Sequence, residues 1–305
     1  MTTLERPGID AEGTVVDPVE VASARLGGRR PPRGLPSRLG LAVLFLILAF
    51  LFILPLYWMV LSSLRPQSEM FGTGITLAPT GLSLDNYGKL LAETPFARWF
   101  INSVTQSLGY ATLTVAICAM GGYALAKYRF RFRTVIFALI LITQMLPFQL
   151  LIVSLFVEIV NLGLVDHYLG AVLPLAAHPI GLFFMRQHML GISDDLLAAG
   201  RVDGASEYRL FWSVVLPNIR PALATLFILF ALEYWNNLLW PLIVFRQPEN
   251  MPLAVGLASM VNQYRVAYDM LLAGSALATL PIIVLFFFFR RHFMAGTAVT
   301  GTGLQ

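Results

Sequence analysis

Long apolar runs separated by short polar ones fill the chain from Leu39 onward, and their lengths predict helices rather than strands. The first run, Leu39 to Leu64, exceeds the ~20 residues that a helix needs to cross a hydrocarbon core. It starts too late and is too long for the apolar centre of a signal peptide, so it reads as a retained helix, bent at Pro55 and flanked by Tyr57 and Trp58. With this span at about 39–64, the later runs predict spans over about 101–126, 134–160, 168–189, 219–245 and 270–289, the fourth broken by Pro174 and Pro179. The second mixes Ser103, Ser107, Gly109, Thr112, Gly121 and Gly122 among its apolar residues, which suits close packing against other helices better than contact with lipid. Residues 65–100 carry Pro66, Gly72, Gly74, Pro79 and Gly81 and read as a loop with a short helix near Tyr87 to Leu91. Residues 1–38, rich in Pro, Gly and Arg without periodicity, are expected to be a disordered tail, and 296–305 a second, short tail.

Composition agrees with the pattern. The 305 residues are 57% hydrophobic and 12% charged, far from the roughly one quarter charged residues of a soluble domain. This is an integral membrane protein by content. The net charge of +4 matters less than where the cations sit. Of the 21 Lys and Arg, all but Arg65, Lys89, Arg98, Arg246 and Arg265 fall in the amino-terminal tail, in the loop from Lys127 to Arg133, between Arg186 and Arg220, or at Arg290 and Arg291. Because basic loops stay inside, both termini and the 193–217 segment are expected in the cytoplasm. The single cysteine, Cys118, cannot pair within the chain.

One polar stretch is unlike the others. Ser193 to Pro217 reads SDDLLAAGRVDGASEYRLFWSVVLP, a charged island between two apolar runs. Ser193 followed by Asp194 and Asp195 is an N-cap with acids in the first turn, predicting a short helix to about Arg201. Asp203-Gly204 is a turn signal, Ser206 with Glu207 offers a second cap, and Pro217 is expected to stop the second helix before the next apolar run. Such a short helix as the first is marginal in water and needs packing, against its own chain or a partner. An interfacial helix-turn-helix that only closes a loop reads the same way locally.

This island resembles the hallmark loop of the membrane-spanning permease subunits of binding-protein-dependent ABC importers, of the carbohydrate type to which the maltose permease belongs. That loop reads E-A-A, two residues, D-G-A, then about eight residues to I-x-L-P. Ala199, Asp203, Gly204, Ala205, Leu216 and Pro217 match, Val214 replaces Ile, and the family's Glu and second Ala fall on Ala198 and Gly200. Further landmarks stand in family order across about residues 40–295: Asn102-Ser103, Tyr123-Ala124-Leu125-Ala126, Gln144-Met145-Leu146-Pro147, Gly163-Leu164, and Trp235-Asn236 with Leu239-Trp240-Pro241. The resemblance implies an all-α membrane protein over 39–295 with six transmembrane helices and a cytoplasmic coupling helix in the 193–217 loop. It implies a homologous second permease, two ATP-binding subunits that hold ATP and Mg2+, and an extracytoplasmic solute-binding protein, in the cytoplasmic (inner) membrane of a bacterium or archaeon. It implies a sugar as cargo, with glycerol phosphodiesters or polyols open within the same type.

Catalytic signatures are missing from the sequence. Neither Lys89 nor Lys127 belongs to the Gly-Lys-Ser/Thr of a phosphate-binding loop, no GxSxG is present, and His167, His178, His188 and His292 have no metal-ligand spacing. We expect no catalytic residue, metal or cofactor on this chain, and no nucleic-acid partner. The remaining chemistry is polar side chains at membrane depth, which line a pathway or bond a neighbouring helix. Glu233 lies ~21 Å along its span from Ile219 at 1.5 Å per residue. A carboxylate there needs a donor or water. Tyr234, Trp235, Asn236 and Asn237 beside it, and Gln144 and Gln149 in the third span, are candidate pathway residues, since aromatic faces with amide and carboxylate oxygens suit polyhydroxylated ligands. Interhelical hydrogen bonding and an interfacial aromatic belt account equally for them. His178 reads as a satisfied core histidine. An ion-coupled secondary carrier using Glu233 is the alternative from another class.

Overall fold

The computed structural model describes residues 8–9, 15–16, 35–70, 81–261 and 267–298. The expected amino-terminal tail lies outside the described residues, apart from an antiparallel pairing of Gly8–Ile9 with Val15–Val16 and the start of the first helix. The expected carboxyl-terminal tail begins within the last helix and lies outside the described residues beyond Ala298.

Helix α1 runs Leu35–Ser63 and retains Pro55 within it. Then come α2 (Gln67–Met70), α3 (Asp85–Glu93), α4 (Phe96–Lys127), α5 (Arg133–Thr143) and α6 (Phe148–Asn161). They are followed by α7 (Tyr168–Val172), α8 (Pro179–Leu190), α9 (Asp194–Val202), α10 (Glu207–Leu210), α11 (Leu216–Asn218) and α12 (Arg220–Trp235). The chain closes with α13 (Leu239–Val244), α14 (Leu253–Ser259) and α15 (Tyr268–Ala298). The fold divides into two units after Tyr57. Among the described residues, Leu39–Ser63, Phe96–Lys127 and Tyr268–Phe289 are each long and apolar enough to cross a membrane, and three bent helix pairs bring the number to six if each pair is one span.

The helices of the spans expected over 134–160 and 219–245 are each interrupted. In the first, the end of α5 tightens into three successive i→i−3 turns at Gln144, Met145 and Leu146, and Pro147 has no N–H with which to resume the ladder. Helix α6 leaves at 99° to α5. In the second, the Asn236 side chain donates to the Leu232 carbonyl at 2.8 Å, the same oxygen its backbone N–H reaches at 3.2 Å, and α12 ends there. The fourth run breaks as its prolines predict: a 3-10 turn at Leu173–Leu175 contains Pro174, and Pro179 opens α8 at 56° to it.

The core is built around α4. Its buried face, with Tyr110, Ala111, Cys118, Ala119 and Tyr123, meets α8 and α12 through Met185, Met189, Leu226 and Phe230. Small residues set the spacing: a Cβ on Gly122 would lie 2.9 Å from both the Arg186 backbone nitrogen and Met185 Cβ, and one on Gly181 would lie 2.8 Å from Cys118 Sγ. At the other end of α4, Trp99 Nε1 donates to Pro248 O at 2.8 Å, Asn102 Nδ2 to Glu249 O and Met251 O, and Ser103 Oγ accepts from Leu253 N at 2.7 Å. The chain from 248 to 253 is thereby fixed to α4.

Candidate functional site

The polar island folds as its local signals dictate. Ser193 Oγ accepts from Asp195 N at 3.2 Å and starts α9, whose first turn carries Asp194 and Asp195. The helix ends in a Schellman turn. Gly204, at φ 78°, donates to Arg201 O, and Ala205 N donates to Gly200 O, both at 3.0 Å. Asp203 contributes its backbone N–H, which donates to Ala199 O at 3.0 Å; among the described residues no hydrogen bond reaches its carboxylate. Ser206 Oγ accepts from Arg209 N and caps α10. Pro217 does not stop the helix, contrary to expectation. Phe211–Val215 widens into a π-helix ahead of it, the Asn218 side chain takes up the Val214 carbonyl, and the break falls at Ile219, before Pro221. Helix α12 departs at 80°.

Packing holds α9 on one side only. Leu197 is buried, and Gly200 leaves the space filled by the Leu210 side chain, where a Cβ would collide. The opposite side is open: Ala198, Ala199, Asp203 and Gly204 are exposed, while Gly200, Ala205, Leu216 and Pro217 are half-buried. Val202 is 88% exposed and Tyr208 73%, which leaves apolar surface uncovered within this charged island.

Two polar clasps tie this element to α4, and neither is readable from local sequence. Lys127, the last residue of α4, donates through Nζ to Ile192 O at 2.6 Å and to Asp194 Oδ1 at 2.7 Å, at the start of α9. That hydrogen bond holds the Asp194 carboxyl below its ordinary range. Beyond the turn, Glu207 accepts from Arg201 Nε at 2.6 Å, from Tyr128 OH at 2.7 Å and from Tyr123 OH at 3.3 Å. Arg201, then Tyr128, bring the Glu207 carboxyl down to about 2. Local sequence shows only the pair of opposite charges, Arg201 and Glu207, on either side of Asp203-Gly204, and not the tyrosines of α4 and its end that complete the clasp.

The candidate pathway residues do not form one cluster. Tyr234 is buried, its OH donating to Gln106 Oε1 at 3.3 Å. Trp235 packs edge-on to Phe100 and donates to Ala278 O, and Asn236 bonds its own helix. Asn237 is half-buried in the break after α12, and Gln144 and Gln149 are exposed on either side of Pro147. Glu233 stands apart: its side chain is 50% exposed, and Oε1 lies 3.6 Å from His178 Nε2. His178 caps α8 through Nδ1, which accepts from Gly181 N at 3.4 Å.

Among known proteins, the family model of the binding-protein-dependent transport system inner membrane component matches residues 118–298. The chain is 39% identical over 276 residues to the arabinooligosaccharides transport system permease protein AraQ of Bacillus subtilis, covering 90% of this chain and 98% of that protein. It is 31% identical over 264 residues to the lactose transport system permease protein LacG of Rhizobium radiobacter, covering 87% and 96%. A crystal structure of a bacterial ABC transporter involved in the import of the acidic polysaccharide alginate contains a chain of the same fold. The TM-score is 0.73 at 24% identity, over 86% of this chain and 99% of that one.

Proposed function

Because this chain belongs to the family of binding-protein-dependent transport system inner membrane components, we propose that it is a permease subunit of an ATP-driven importer that moves a sugar across the inner membrane. Its work is mechanical. ATP hydrolysis belongs to two partner subunits, a homologous second permease completes the passage, and an extracytoplasmic solute-binding protein delivers the cargo. Six spans with cytoplasmic termini agree with the distribution of basic residues.

The observation that carries this reading is the uncovered face of α9. A nine-residue helix, too short to persist alone in water, is capped at both ends and clasped to α4, yet presents Ala198, Ala199 and Val202 outward. A docked ATP-binding subunit would cover that face, and its movement would reach the membrane through Lys127 and Glu207. The test is purification from native membranes through a tag on this chain. An ATP-binding subunit and a second permease are expected to copurify, and proteoliposomes of the complex, supplied with binding protein, to take up sugar with ATP while the proton gradient is collapsed. Uptake that requires the gradient and ignores ATP would establish the ion-coupled alternative instead.

The Glu207 clasp makes a second expectation. Glu207→Gln removes the charge that Arg201 and both tyrosines share, and uptake is expected to fall about ten-fold while membrane insertion is retained, since hydrogen bonds to charged groups contribute about 1.5–3 kcal/mol and this one is partly exposed. Glu207 has a depressed folded pKa, so its contribution is fully present above the ordinary carboxylate value of 4.5 and is lost as pH falls through about 2. Between pH 5 and 8 the clasp should therefore add no pH dependence to uptake, in wild type or variant.

A further inference from the structure

Two chain breaks lie beside one polar contact between α8 and α12. Residues 176–178 separate the 3-10 turn at Leu173–Leu175 from α8, and residues 236–238 separate α12 from α13. Unwound backbone at membrane depth persists only where protein covers it or where it borders a wet cavity. His178 stands at the end of the first break and Glu233 three residues before the second.

The imidazole is held in place. Nδ1 accepts from Gly181 N, the ring sits 4.8 Å from that of Phe230, and Cys118 Sγ donates to the His178 carbonyl. Nε2 is left to face Glu233 Oε1 at 3.6 Å, in ion-pair range but too long for a hydrogen bond. Among the described residues no hydrogen bond reaches the Glu233 carboxylate. Glu233 shares an exposed strip of α12 with Leu229 and Asn236, at i, i+4 and i+7. A half-exposed carboxylate on such a strip is costly against lipid, which favours a wet cavity or a partner over that face.

The apolar runs carry acidic residues and no Lys or Arg. Residues 39–64, 99–126, 134–185, 221–245 and 270–289 contain no Lys or Arg, whereas Glu158, Asp166 and Glu233 fall within them. We propose that Glu233, with His178 beside it, is a selectivity station on the transport path: its free oxygens accept hydroxyl protons of an uncharged polyhydroxylated cargo and turn away anionic ones such as uronates or phosphate esters. The proposal rests on the importer reading and adds the class of cargo. At about 5 Å and an effective dielectric constant near 20, repulsion between a cargo carboxylate and Glu233 amounts to about a hundred-fold in affinity.

Direct binding to the detergent-purified complex, with its ATP-binding subunits and without the solute-binding protein, tests the station free of the delivery protein's own selectivity. The probes are radiolabelled arabinotriose and trigalacturonate in equilibrium dialysis. Wild type is expected to prefer arabinotriose about a hundred-fold, Glu233→Gln to narrow that preference at least about ten-fold, and Glu233→Lys to reverse it. His178→Asn, which retains an acceptor for Gly181 N–H, is expected to weaken arabinotriose binding about ten-fold. The ratio between two probes on one preparation does not depend on how much of a variant folds. Equal affinity for both probes, no arabinotriose binding, or an unchanged preference in Glu233→Gln overturns the station. Failure of any ATP-binding subunit to copurify overturns the importer reading instead.

Discussion

Replacing Gly204 with valine is expected to reduce uptake to background while the protein still inserts into the membrane. Gly204 closes α9 at φ 78°, where an L-residue costs roughly 1–2 kcal/mol and a β-branched one more. A Cβ there meets nothing within 4 Å, so the effect comes from the backbone and not from crowding. This separates the substitutions: Gly204→Asn should retain most activity, because Asn tolerates the left-handed region, Gly204→Ala should be intermediate, and Gly204→Val should be inactive. Valine forces the turn to open, the bonds from Gly204 N to Arg201 O and from Ala205 N to Gly200 O are lost, and Arg201 no longer meets Glu207. Proteoliposome uptake normalised to protein in the membrane measures the series. Equal activity of the Asn and Val variants would show that the turn transmits nothing.

Gly122→Ile acts on the fold itself. The space that its Cβ would occupy is bounded by the Arg186 backbone nitrogen and by Met185 Cβ, each at 2.9 Å, and neither can swing aside as a side-chain tip can. Helices α4 and α8 must separate, which opens the packing around Met185 and Met189, both fully buried. Overpacking costs about 1–3 kcal/mol in well-packed cores, and contact with backbone places this change at or above the upper end. A monodisperse gel-filtration peak is expected to be lost, together with uptake. Gly40→Ile, at a site with nothing within 4 Å, is the matched control and should behave as wild type.

Features set by neighbouring residues were legible in the sequence. The Ser193 cap, the Gly204 turn, the Ser206 cap and the broken fourth span follow from side chains within a few positions of each other. Features that join distant segments were not. The Lys127–Asp194 contact joins residues 67 apart and the Tyr123–Glu207 contact residues 84 apart, and nothing local marks either pair. The bend within 134–160 was not legible because the apolar run continues through Pro147, so hydropathy carries no record of the 99° angle. The residues after Glu233 were hard to place for a related reason. Helix α12 is apolar around most of its circumference, and the sequence does not show that Tyr234 points inward while Glu233 points outward.

Helix α4 runs without interruption from Phe96 to Lys127. Its first turns hold the 248–253 segment through Trp99, Asn102 and Ser103, and its last turns hold α9 and Glu207. About 36 Å of hydrogen-bonded backbone separates Ser103 from Lys127 at 1.5 Å per residue. A strut of that length with a grip at each end has no hinge in which a displacement can be absorbed. Whatever shifts the chain at one grip is then expected to register at the other.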